Sequence, residues 1–236
     1  MKLLKNIAKW VVVAFFGTTI LAVVSLRFIP VYITPLMVIR CIEQKKEGKP
    51  LKLKHHWMPL DKMSPSMPVA VMASEDARFL KHHGFDYEAI EKAALHNLDH
   101  KNKHGASTIT QQTAKNVFLW PGRSWLRKGL EAYFSVLIEL VWGKHRIMEV
   151  YLNSIEMGDG IYGADAVAHE NFDCSAEELT RANCALIAAT LPNPRRFSSK
   201  TPSDYMVKRK FRIMKEMRYI PLFPKKGQDV DMKTAE

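Results

Sequence analysis

Residues 74–86 read Ser74-Glu75-Asp76-Ala77-Arg78-Phe79-Leu80-Lys81-His82-His83-Gly84-Phe85-Asp86, directly after an uncharged run at 68–73. A helix buried at Val69, Val71 and Met72 that meets water at Glu75 and Asp76 is one way to hold a tuned acid or base. Burial raises a carboxyl pKa and nearby cations lower it, so such a group can be poised for proton transfer. The plainer reading is a half-helix ending in a solvated charge cluster, since charge runs usually face water. The rest of the chain has to decide between them.

The 236 residues suit one domain of ordinary size with a sizeable core, once any anchor is set aside. Lys and Arg number 35 against 24 Asp and Glu, a formal charge of +11. A basic surface implies an anionic partner: nucleic acid, a phosphorylated substrate or anionic lipid headgroups. Cys41, Cys174 and Cys184 form no CxxC pair, so they are neither a disulfide framework nor a zinc site.

Upstream, Lys2, Lys5 and Lys9 precede an uncharged run at 10–26, WVVVAFFGTTILAVVSL. It is near the short end for a membrane span. A cleaved signal peptide would need a small-x-small site, and Ala22-Val23-Val24 is a poor one. A buried core helix should show a polar face, and none exists here. The expectation is an uncleaved anchor over 10–33, a basic segment at 1–9 on its cytoplasmic side and a membrane-proximal linker at 34–65. Lysines and arginines lie on both sides of the span, so charge leaves its orientation open. His55 and His56 fall in the linker without carboxylate neighbours in sequence, and no ligand role is expected of them.

Downstream, helical signals dominate. Ser66 is expected to cap a helix to about Arg78, with Pro68 tolerated in its first turn. Asp86 caps a second helix, and the polar run at 99–104 is a loop. Thr108 with Gln111 forms a capping box, and Trp120-Pro121-Gly122 ends that helix. Ser124 caps the next, which carries Leu126, Leu130, Phe134, Leu137 and Val141 at helical spacing and is interrupted at Gly143. Ser175 with Glu178 is read as a second capping box opening an alanine-rich helix to Thr190. Ser203 caps a last helix to about Tyr219. A short hairpin is expected near Asp159 and Ile161, and a disordered tail at 224–236.

Two further clusters carry chemistry. Gly105-Ala106-Ser107-Thr108-Ile109-Thr110-Gln111-Gln112 places hydroxyls and amides at a helix start, which favours an anion, and Lys115 follows a turn later. Arg123, Arg127, Lys128 and Glu131 come next, with Arg127 and Glu131 four apart on one helix face. Each has a bland alternative: an ordinary capped helix and a surface ion pair contributing a few tenths of a kcal/mol.

Taken together, these stretches resemble the peptidoglycan glycosyltransferase family, and specifically its monofunctional biosynthetic transglycosylases. The pattern ED-x-x-F-x-x-H-x-G is met by Glu75, Asp76, Phe79, His82 and Gly84. G-x-STI-[ST]-QQ is met by Gly105 and 107–112, and RK-x-x-E by Arg127, Lys128 and Glu131. K-x-x-I-x-E-x-YLN is met by Lys144, Ile147, Glu149, Tyr151, Leu152 and Asn153, and 186–195 (LIAATLPNPR) also fits. The stretch around Ala168-His169-Glu170 and Asn171-Phe172 departs from the family pattern.

The resemblance implies a mainly α, lysozyme-like two-lobed helical domain at 66–223 behind an N-terminal transmembrane helix. It implies polymerisation of lipid II with inverting loss of undecaprenyl diphosphate. Glu75 would be the general base, and Asp76 a support. Lys115, Arg123, Arg127 and Lys128 would take the diphosphate charge. Ser107 and Gln112 would contact diphosphate or sugar. Glu131 would orient the cations or help hold a divalent cation, magnesium or manganese, with no other cofactor. Lipid II, the growing lipid-linked glycan, the inner membrane and other cell-wall synthesis and division proteins are the implied partners, and nucleic acid is not among them. The catalytic domain would be periplasmic. A muramidase-like hydrolase or lytic transglycosylase is the alternative, though a hydrolase of neutral glycan has no use for four clustered cations. A tethered scaffold without catalysis is the third reading.

Overall fold

A computed structural model describes residues 2–99, 105–122 and 124–228. The fold is mainly helical, with one small sheet. α1 spans Lys2–Phe28, is largely exposed, and is long and apolar enough to cross a membrane by length and composition. Its C-terminal half rests on a later helix, α6 (Trp125–Ser154). Trp142 Nε1 donates to the Val23 carbonyl at 2.7 Å, and Thr19 Oγ1 lies 2.8 Å from the Tyr133 hydroxyl. Arg146 donates to the carbonyls of Leu26 at 2.8 Å and Ile29 at 2.6 Å, satisfying acceptors that a helix end leaves free.

The segment expected as a linker, 34–65, carries structure of its own. Thr34 caps α2 (Pro35–Lys46), accepting from Met37 N–H at 3.3 Å. β1 (Lys54–His55) pairs in parallel with β3 (Ile161–Tyr162), which closes an antiparallel hairpin with β2 (Glu156–Gly158). The hairpin falls where the glycines place it. The added strand comes from a partner more than 100 residues away in sequence.

α3 (Ser66–Glu75) is the central element. Every side chain from Met67 to Ala73 is buried, as a helix apolar on all faces requires. It packs against α8 (Arg181–Thr190) and α9 (Asp204–Glu216). The helix is shorter than expected. Ser66 lies inside it rather than capping it, and it stops at Glu75 instead of running to Arg78. The Asp76 carboxylate accepts from Ile109 N–H at 2.9 Å and meets His82 Nε2 at 2.9 Å, so tertiary partners pull the chain out of the helix there.

The remaining caps divide. Asp86 accepts from Ala89 N–H at 3.0 Å at the head of α4 (Tyr87–Asp99); of the expected loop at 99–104, Asp99 is the last residue of α4 and 100–104 lies outside the described residues. Thr108 and Gln111 form the capping box of α5 (Ile109–Phe118). Ser124 caps α6, and Gly143 kinks it with φ 71°, a backbone angle that favours glycine. Ser203 caps α9, which ends at Glu216 rather than Tyr219. Ser175 and Glu178 do not open α8. Glu178 accepts from Ser175 N–H and Oγ, which closes only a turn, and Thr180 takes the Asn183 N–H as the true cap. α7 (Ala164–Phe172) follows the hairpin. Of the expected disordered tail, 224–228 carries a turn closed by Gln228 N–H onto the Lys225 carbonyl, and 229–236 lies outside the described residues.

Candidate active site

Glu75 is the last residue of the buried helix, so its backbone is held by the core while its side chain reaches a cleft. The side chain is 14% exposed. Ser74 Oγ donates to Oε1 at 2.9 Å and Gln112 Nε2 to Oε2 at 3.2 Å. Gln112 is itself held by the Tyr151 hydroxyl, which donates to its Oε1 at 3.1 Å. Complete burial raises Tyr151 well above the ordinary phenol value, and Glu75 and Asp76 push it further the same way, so the phenol stays protonated and keeps donating. A cavity of about 300 Å³ opens in front of Glu75, lined among others by Arg78, Lys92, Gly105 and Ser107.

Asp76 also lines that cavity, but its carboxylate is engaged elsewhere. Its contacts with Ile109 N–H and His82 fasten the turn after α3 to the head of α5. Gly84, at φ 91°, receives the Thr108 hydroxyl on its carbonyl at 2.6 Å, and a Cβ there would come within 3.1 Å of Glu139 Cγ. Both residues are therefore structural. Lys144 is too: it pairs with Glu139 at 2.7 Å, which also accepts from Thr110 Oγ1. Asn153 accepts from Met58 N–H and donates to its carbonyl, each at 2.9 Å.

The cations stand on α5 and α6. Lys115 lies one helical turn beyond Gln112, within electrostatic reach of Glu131, Arg127, Lys128 and Glu75. Burial lowers its ammonium below the ordinary lysine value of 10.5, and Glu131 opposes that. Glu131, 3% exposed, accepts from Arg127 at 2.6 Å and from Lys128 Nζ on its other oxygen. The pair is thus buried, not the surface i,i+4 bridge that spacing alone allows. Arg127 Nε has no protein partner although it is buried, which leaves a donor for an incoming anion. A second cavity of about 540 Å³ is lined by Ser107, Gln112, Lys115, Asn116, Arg127 and Arg40, among others. Ser107 and the Glu75–Gln112 bond connect it to the cavity in front of Glu75.

The structure therefore brings Glu75, Ser107, Gln112, Lys115, Arg127, Lys128 and Glu131 to one region. Arg123 lies outside the described residues. Glu131 does not fit a metal, because each of its oxygens already takes a cation, and it joins no metal-like group of His, Cys, Asp or Glu among the described residues. Two residues were missed from sequence. Arg209 on α9 donates to Ser74 Oγ at 3.1 Å and stands 3.8 Å from Glu75 Oε1. Arg40 on α2 reaches the second cavity from a segment read as linker. The only local signal for Arg209 was a basic helix, which seldom means more than a wet face.

The transglycosylase family model matches residues 44–218. A biosynthetic peptidoglycan transglycosylase of Bacteroides thetaiotaomicron is 58% identical over 217 residues, 92% of this chain and 88% of the relative. Those of Bdellovibrio bacteriovorus and Caulobacter vibrioides are 51% and 50% identical, over 94% and 91% of this chain and 89% and 91% of their own. With the family model and these relatives in agreement along the part of the chain that builds the cleft, this protein belongs to the transglycosylase family.

Proposed function

We propose that this chain is a peptidoglycan glycosyltransferase that polymerises lipid II by inverting displacement. The 4-hydroxyl of one GlcNAc attacks the anomeric carbon of the MurNAc at the lipid-linked end of the growing strand. The new β-1,4 C–O bond forms as the α-linked bond to undecaprenyl diphosphate breaks, and the leaving diphosphate takes that bond's electron pair. Glu75 accepts the hydroxyl proton. A diphosphate leaves without a general acid, so the second requirement is cationic stabilisation of its charge. Lys115 and Arg127 supply it from the adjoining cavity, with Lys128, which shares Glu131 with Arg127, and Arg123 assigned the same role. Ser107 and Gln112 bridge the two cavities and would contact sugar or diphosphate. Glu131 holds Arg127 and Lys128 in place rather than binding magnesium or manganese.

One observation carries this reading: a carboxylate bonded on each oxygen by a neutral donor, lining a cavity that shares Ser107 with one walled by cations. A hydrolase of neutral glycan gains nothing from that wall. α1 would anchor the protein in the inner membrane, with residues 66–223 forming the catalytic domain on the periplasmic side. Incubating the purified protein with lipid II tests the assignment: glycan strands support the polymerase, whereas fragments released from preformed glycan support the lytic alternative.

A further inference from the structure

His56, Asp165 and His169 meet on the surface beside α7, although 109 residues separate the first two. The fold brings this about in two steps. β1 pairs with β3 through His55 and Tyr162, and Gly163 then starts α7, so the residue after β1 lies alongside the first turns of that helix. Asp165 and His169 are four apart on α7 and share one face. Asp165 Oδ2 is 3.5 Å from His169 Nε2 and 4.0 Å from His56 Nδ1. All three ligand atoms lie within 4.8 Å of one another. The lack of carboxylate neighbours that spoke against His56 in sequence does not hold in space.

We propose that His56, Asp165 and His169 form a binding site for a divalent transition metal, with zinc the best match. Two imidazole nitrogens and one carboxylate oxygen make a ligand set suited to zinc, and magnesium and calcium prefer oxygen. Ligand atoms on a tetrahedral zinc are about 3.3 Å apart at ordinary bond lengths. The Asp165–His169 spacing is close to that, and His56, 4.0 Å from Asp165 Oδ2, would close in on the metal by turning its exposed ring. Asp165 is prepared for the role: it is buried, and its other oxygen accepts from Ala176 N–H at 2.9 Å. A backbone bond of that kind orients a metal ligand. The two histidine side chains are 62% and 50% exposed, so a metal can reach them and the fourth position stays open to water.

Among the described residues the other group with suitable spacing, Asp76, His82 and Asp86, is accounted for by the bonds that hold α3, α4 and α5 together. At the surface group a metal would clamp the strand after α2 to α7, tying the membrane-proximal chain to the domain independently of catalysis. His169 sits in the stretch that departs from the family pattern, so the site is inferred for this chain alone.

The test uses full-length protein without a histidine tag, in detergent, stripped by chelator and desalted. Zinc is titrated calorimetrically, and cobalt by its visible absorption. Saturable binding of one metal per chain is expected, with a tetrahedral cobalt band and a higher melting temperature in zinc. His56→Ala and His169→Ala, both at exposed positions, should each weaken binding by about tenfold or more and remove the thermal shift. Absence of saturable binding to the wild-type chain, or binding unchanged in both variants, would overturn the proposal.

Discussion

Glu75 and Glu131 are two largely buried glutamates about one cleft, and their partners set them apart. Glu131 gives one oxygen to Arg127 and the other to Lys128. Glu75 is bonded by a hydroxyl and an amide, with Arg209 kept at 3.8 Å. Glu131 is tied on both oxygens to cations of its own helix, whereas the hydroxyl and the amide on Glu75 hold its carboxylate beside the cavity. The difference supports the proposed division, proton transfer at Glu75 and cation placement at Glu131, which the residue type alone cannot make.

The largest expected effect follows from the base. Glu75→Gln keeps shape and hydrogen bonding but cannot take the proton, and turnover should fall by about 10³-fold or more. Glu75→Asp, one methylene short, should recover only a small part. On the cationic side, Lys115→Met should cost about 10²–10³-fold in turnover, measured as strand formation from lipid II. A negligible loss would return Lys115 to an ordinary buried lysine.

Glu131→Gln probes the other glutamate. It removes the charge that Arg127 and Lys128 share while keeping one acceptor oxygen, and breaking the buried Arg127 side of that pair costs at most about 3–5 kcal/mol. A lower melting temperature together with reduced turnover is expected. Lost turnover at unchanged stability would instead give Glu131 a direct part in the chemistry. Arg209→Ala should be milder, about tenfold in turnover, the kinetic equivalent of one hydrogen bond near 1.4 kcal/mol. The smallest effect is on pH. Lys115 is charged only below its lowered pKa, so polymerisation should decline on the alkaline side before an ordinary lysine titrates. Lys115→Arg should move that limb to higher pH. The same shift makes the charged ammonium costly to the folded state below its folded pKa, and that cost eases as pH rises through it.

What the sequence reveals of this protein is what local chemistry decides. Asp86, Thr108, Ser124 and Ser203 cap helices because a side chain and an N–H two or three residues away suffice. The Ser175–Glu178 pair misleads for the same reason, since a local bond can close a turn without starting a helix. The end of α3 at Glu75 is invisible locally, because Asp76 is claimed by Ile109 and His82. Among the candidate site residues, the motifs pointed to Glu75, Arg127 and Glu131, and the capped helix start to Lys115, but not to which glutamate is clamped. Arg209 and Arg40 reach the cleft by tertiary packing, and nothing in their neighbourhoods marks them.

The most direct test of the division between the glutamates measures binding and chemistry in one variant. Purified Glu75→Gln would be assayed for lipid II affinity and, in parallel, for glycan strand formation. Near-native affinity with strand formation abolished is the predicted result. Strand formation at a near-native rate would contradict the assignment of Glu75 as the base.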